Sequence, residues 1–261
     1  MSKARDYIDG LAARGQHHFT AREMGQALDI SAAAAKLALL RLAKQGEVAS
    51  PARGFYVIVP PEYRQLGCLP ADQFIPALMK HHGLAYYAGL LSAAQYHGAA
   101  HHRPQEFQVV VPKNRRSIMC GAVRIAFIAR KRIADVPVQK VNTPRGTVRV
   151  SSVEATAVDL VGYEGRAGGL DQVATVLAEL AEQIDPERLV AAAKTAPVPW
   201  AQRLGYLLEH VGAAKRAEPL KAYVRIAARD MTPLLPSASR AKARQERAWR
   251  LYVNAEVEAE T

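Results

Sequence analysis

The chain has 261 residues, 49% hydrophobic and 23% charged, the make-up of a soluble globular protein with room for two domains. It holds no run of 18 apolar residues, and its start, MSKARDYIDG, lacks the apolar stretch of a secretory signal; no membrane partner and a cytoplasmic location are expected. Cys68 and Cys120 are the only cysteines and lack CxxC spacing, which excludes a cysteine-rich zinc site and fits a reducing compartment; a disulfide between them is not expected in a chain long enough to bury its own core.

The formal charge of +11 is unevenly placed. Residues 1–66 carry 9 Lys/Arg against 6 Asp/Glu, residues 67–150 carry 12 against 3, and residues 151–261 carry 14 against 15. The middle of the chain is the basic part. Polyanion binding and a solvated basic surface both account for it.

Residues 3–14 have apolar positions at Ala4, Tyr7, Ile8, Leu11 and Ala12, the spacing of a helix that Gly15 ends. Thr20 and Glu23 form a capping-box pattern at the start of the next helix, which buries Met24, Ala27 and Leu28. Asp29-Ile30-Ser31 is a short turn with Ile30 as its buried plug, and Ser31 caps a helix from Ala32 to about Gln45, stopped by Gly46. Ala35, Leu39, Leu42 and Ala43 share its inward face, while Lys36, Arg41 and Lys44 point away. Two strands, 47–50 and 55–59, flank the turn Pro51-Ala52-Arg53-Gly54. Two helices, a tight turn and a β-ribbon make the pattern of a winged helix-turn-helix, with Thr20, Arg22, Ser31, Ala33, Lys36, Leu37, Arg41, Lys44 and Arg53 as the candidate DNA-contacting residues. The alanines that open the reading helix reach only thymine methyls, so specificity leans on Lys36, Leu37, Arg41 and DNA shape. Protein contact is the competing use of such a unit.

Pro60-Pro61 breaks the ribbon, and a domain boundary is set at Pro70. Residues 71–81 read as a helix interrupted by Pro76, and 84–96 as a strongly apolar helix. Strands are expected at 106–112 and 123–129, and as a hairpin at 138–142 and 147–151. From Val153 the pattern is helical, with segments at 153–163, 170–184, 186–193, 200–211 and 217–229 and a final helix over 240–258, basic first and acidic last. The expected fold class is α+β: a winged helix-turn-helix at 1–70, then a domain at 71–261 with a small, largely antiparallel sheet (71–152) and a helical bundle (153–261).

His81, His82, His97, His101 and His102 suggest a metal cluster at first sight, but paired histidines diverge on a helix or strand and no HxxxH or HExxH occurs; surface or core roles are expected and no metal. No GxSxG, phosphate loop or nuclease-type E-x-K is present, and 106–151 offers only Glu106 and Asp135, so no catalytic residues and no cofactor are assigned. The basic residues Lys113, Arg115, Arg116, Arg124, Arg130, Lys131, Arg132, Lys140, Arg145 and Arg149 are expected to share an open face of the sheet or its rim, facing nucleic acid, an acidic partner or solvent.

The order of parts resembles a known family. A wing ARGFYV, an apolar stretch YYAGLLSAAQYHG, a strand FQVVVP followed by basic residues, then SSVEATAVDLV and WAQRLGYLLEHVG resemble the AbiEi antitoxins of type IV toxin–antitoxin systems, linked to abortive phage infection. The resemblance runs from about residue 4 to about residue 230. It implies a non-enzymatic, bifunctional protein. Its N-terminal domain would bind inverted repeats of double-stranded DNA in its own promoter through 32–44 and 53–56. Its C-terminal domain would counteract a nucleotidyltransferase-like toxin without a stable complex. A chain monomeric in solution and assembling cooperatively on DNA is expected. A ligand-responsive repressor and a nucleic-acid-processing enzyme with a winged-helix head are the competing readings.

Overall fold

The computed structural model describes residues 3–99 and 104–259; His101 and His102 lie outside them. The chain is a mixed α+β protein. In order it forms α1 (Lys3–Ala13), β1 (His18–Thr20), α2 (Ala21–Leu28), α3 (Ala32–Lys44), β2 (Val48–Ala52), β3 (Phe55–Ile58), α4 (Ala71–His81), β4 (Tyr87–Ala88) and α5 (Leu90–Tyr96). There follow β5 (Phe107–Val111), β6 (Ile118–Cys120), β7 (Val123–Ala129), β8 (Val138–Thr143), β9 (Gly146–Ser151), α6 (Val153–Gly162), α7 (Leu170–Leu180), α8 (Pro186–Ala193), α9 (Val198–His210), α10 (Ala214–Ala227), β10 (Thr232–Pro233), β11 (Arg244–Glu246) and β12 (Leu251–Val253). These elements divide into two compact units. The first takes the chain up to Tyr87 with Gln105–Ile133 and Lys140–Arg149; the second takes Ala88–Pro104, Ala134–Gln139 and everything from Val150.

The first unit begins with a three-helix head. Ile8, Leu11, Phe19, Met24, Leu39, Leu42, Val48 and Ile58 form its core, and Tyr7 meets Phe19 edge-on at 5.6 Å. The Thr20 hydroxyl accepts from the Glu23 amide, and the Glu23 carboxylate accepts from the Thr20 amide, so the capping box is made. Asp29 takes a left-handed φ of 50° to turn the chain, and the Ser31 hydroxyl accepts from the Ala34 amide at the start of α3. Ala27 and Ala43, expected inside, are exposed, and Ile30 is only half-buried. β2 and β3 pair antiparallel with a bulge between Ala49 and Ala52, where the Ser50 hydroxyl donates to the carbonyls of Ala52 and Phe55. The sequence reading missed β1, which pairs with β3 as His18↔Val57 and Thr20↔Phe55. Three residues are too few for a periodic signal; only the burial of Phe19 marks them.

The rest of the first unit corrects the expected sheet. β5 and β7 run parallel, from Phe107↔Ile125 to Val111↔Ala129, and only β6 meets β7 antiparallel. In the second unit Ala88 pairs with Val150, again parallel. The sheet is thus mixed, not largely antiparallel. Val109, Val110 and Val111, and Ile125 to Ile128, are buried in succession, the pattern of strands covered on both faces. Of the expected helix over 84–96 only α5 is helical; residues 84–86 are irregular and Tyr87–Ala88 is a strand, where Tyr86, Tyr87 and Gly89 favour extended chain.

The second unit is built around α6, whose residues Glu154–Val161 are all buried, and which α5, α7, α8 and α9 contact. Glu154 and Thr156 on it are committed to structure. Glu154 accepts from the Asp185 amide at the start of α8 and from the Ser152 hydroxyl, and the Thr156 hydroxyl bonds those of Ser151 and the Ser152 carbonyl. The expected helix over 240–258 does not form. β12 pairs parallel with β10 and antiparallel with β11, and Trp249 between them is fully buried. A basic-first, acidic-last helix opposes its own dipole, and here the backbone is served instead: the Gln202 side-chain amide donates to the carbonyls of Asp230, Trp249 and Arg250. Among the described residues no helix is long and apolar enough to cross a membrane.

Candidate nucleic-acid interface

All the candidate contact residues fall in the first unit. On α3, Ala33, Lys36, Leu37, Leu40, Arg41 and Lys44 are exposed at helical spacing and form one outward face opposite buried Ala35, Leu39 and Leu42. Leu37 and Leu40 are each 57% exposed, and the sequence reading missed Leu40. Arg22 is exposed on α2, and Arg53 is exposed at the ribbon tip beside Gly54, whose φ of +77° makes the turn. Thr20 is already engaged at both ends of its hydroxyl by Glu23, which leaves it as a cap and not a reader. Ser31 also serves as a cap, with its hydroxyl proton still available to donate.

The second set of cations is arranged by the parallel pairing. Lys113, Arg115 and Arg116 follow the carboxyl end of β5, and Arg130, Lys131 and Arg132 follow that of β7. Because these strands are parallel and in register, and the Arg130 amide donates to the Val111 carbonyl at 2.9 Å, both clusters sit at the same end of the sheet. An antiparallel pairing would have put them at opposite ends. Lys113, Arg116, Lys131 and Arg132 are exposed there, and the Arg115 guanidinium lies over the Phe127 ring, 5.7 Å from its centroid. Lys140 and Arg149 are exposed on the hairpin, and Arg124 is exposed opposite Met119 at the other end of β7.

Two members of the expected basic face do not belong to it. Arg130 is buried and donates to the Tyr87 hydroxyl at 3.0 Å. Arg145 is a clasp: it donates to Gln73 at 2.9 Å, to Nε2 of His17 at 2.6 Å and to Glu62 at 3.2 Å, and lies over Tyr63. β5 and β7 are covered on both sides, so the exposed cations around them occupy strand ends and loops, while Lys140 and Arg149 are exposed along the β8–β9 hairpin.

The clasp has a pH consequence. His17 accepts from Arg145 only while neutral. Burial, and then the charge of Arg145, hold it below the ordinary histidine range. Burial lowers His82 and His97 as well. Such groups take up protons in the unfolded chain first. Their contribution is therefore complete above the unfolded value of about 6.5 and is lost as pH falls from there through the folded values. The urea midpoint of the chain should decline below about pH 6.5, and His17→Gln should flatten part of that decline. A midpoint that rises on acidification through this range would contradict the assignment.

His81 and His97 are held within the fold. His81 packs on Phe55 with ring centroids 5.3 Å apart, and His97 bonds the Ser151 carbonyl at 2.8 Å. No group of three or more His, Cys, Asp or Glu side chains among the described residues is arranged to hold a metal ion.

Comparison with known proteins bears on this arrangement. Residues 87–210 match the family model described as the AbiEi antitoxin C-terminal domain. The chain carries an AbiEi antitoxin domain. That domain takes in the basic cluster between Lys113 and Arg132 and the helices from α5 to α9. The match supports an antitoxin role in a toxin–antitoxin system. The crystal structure of the RV2827C protein from Mycobacterium tuberculosis is similar, with a TM-score of 0.66 at 18% identity over 95% of this chain and 90% of that one, a likeness of fold alone. No curated protein matches the chain.

Proposed function

We propose that this protein is an autoregulating type IV antitoxin. Its head acts as a winged helix-turn-helix that binds inverted repeats in its own promoter, and its AbiEi domain counteracts a nucleotidyltransferase-like toxin. The observation that carries the DNA-binding reading is the outward face of α3, where Lys36, Arg41 and Lys44 flank a small, alanine-led approach surface, with Arg53 on the neighbouring ribbon. Cations at these places suit phosphate contact, and a short apolar stretch suits thymine methyls. The cluster of Lys113, Arg116, Lys131 and Arg132 is the surface we assign to antitoxicity or to further nucleic-acid contact. Polar contact with nucleic acid, or with an acidic surface, suits side chains so placed at strand ends.

The experiment is a titration of labelled duplex containing the upstream inverted repeats with the full chain across a range of salt. Each phosphate neutralised contributes about 0.9 to the slope of log affinity against log salt. A slope of several units and preference for the repeats over scrambled duplex are expected. Salt-independent binding, or none, would overturn the reading.

A further inference from the structure

We propose that Cys68 and Cys120 form a peroxide-sensitive dithiol that closes reversibly into a disulfide. The sequence reading expected two unrelated thiols, but the fold brings them together within the first unit. Both are buried, 0% and 7% exposed, and both are free. The two thiols lie close enough to influence each other's ionisation. Each cysteine adjoins a glycine, and these glycines are what allow the approach. Gly67 and Gly121 have φ of +69° and +59° and their backbones touch: a β-carbon on Gly121 would stand 2.8 Å from Gly67 Cα, and one on Gly67 3.1 Å from Gly121 Cα. The Ala122 amide donates to the Leu66 carbonyl at 2.8 Å and holds the two segments in place. α-Carbons held this close on the adjoining residues suit the short span of a disulfide.

The chemistry has a direction. The neighbouring Cys68 thiol holds Cys120 below the ordinary thiol range against the opposing effect of burial, while Cys120 and burial push Cys68 above it. Cys120 is also the less buried of the two, in the turn whose Gly121 and Ala122 are exposed. The oxidant is hydrogen peroxide. The Cys120 thiolate attacks the peroxide oxygen and becomes a sulfenic acid as the O–O bond breaks and one water leaves. The Cys68 sulfur then attacks the sulfenic sulfur, forming the S–S bond and releasing a second water with its proton. Two thiols and one peroxide give one disulfide and two waters. The closed bridge ties the segment after the ribbon to the β6–β7 turn.

The test uses the full chain. After brief peroxide treatment and removal of the oxidant, thiols are titrated in denaturant, and peptides are mapped by mass without reduction. Loss of both thiols, a mass lower by about two units and one cross-linked peptide carrying Cys68 and Cys120, all reversed by dithiothreitol, are expected. Cys68→Ser should trap Cys120 as a sulfenic acid that a dione reagent labels, and Cys120→Ser should leave Cys68 unlabelled. Two thiols that still titrate after peroxide, oxygen added without a cross-link, or a disulfide joining two chains would overturn the proposal.

Discussion

Trp249→Ala should destabilise the second unit by about 3–5 kcal/mol, the cost of emptying a fully buried aromatic site. The expectation rests on how that ring is held. Trp249 is wholly buried against α9, where Gly205 has no side chain; a β-carbon there would overlap the indole. Its Nε1 donates to Glu209 at 2.8 Å, and Lys221, itself bonded to Glu209, lies 5.5 Å over the ring. Truncation removes the packing, the hydrogen bond and the cation's partner together. Gly205→Ala should act from the opposite side, costing about 1–3 kcal/mol by overpacking. Urea unfolding followed by far-UV circular dichroism reads both as a lower midpoint. An unchanged midpoint for Trp249→Ala would mean that the tail does not stabilise α9.

Replacing Lys36, Arg41 and Lys44 together with alanine should weaken operator binding on the order of 100-fold and lower the salt slope by about 2–3, since each lost phosphate contact removes about 0.9 and a base-reading arginine adds further loss. All three are exposed and point away from the core, so folding should be untouched. The pattern separates roles. If Arg41 reads a base, Arg41→Ala alone relaxes preference for the repeats; if it meets phosphate, it weakens all duplexes alike. Full operator affinity in the triple variant would remove α3 from the interface.

The head was legible because its signals are local. The capping box at Thr20 and Glu23 and the Ser31 cap each need only a few neighbouring residues and form as read, while the ribbon turn tightens to Arg53-Gly54 because Pro51 and Ala52 join β2. What was not legible depends on partners far along the chain. The direction of β5 against β7 cannot be read from either strand, and it alone decides that Lys113–Arg116 and Arg130–Arg132 share one end of the sheet. Arg130 and Arg145 look like surface cations until Tyr87, Gln73 and His17 are brought to them. The tail read as helix because its composition suits one; its course is set by the Gly205 notch and the Gln202 amide, more than 40 residues away. The nearness of Cys68 to Cys120 has a faint trace in the sequence, a glycine beside each, visible only in hindsight.

The central proposal is that this chain silences a toxin through a surface separate from the face of α3 assigned to DNA. The direct measurement is growth of cells expressing a co-encoded nucleotidyltransferase-like toxin with full-length chain variants at matched abundance. The account predicts that the Lys36, Arg41 and Lys44 variant restores growth as fully as the unaltered chain, while alanine at Lys113, Arg116, Lys131 and Arg132 does not. Growth that returns with the second variant and fails with the first would contradict it.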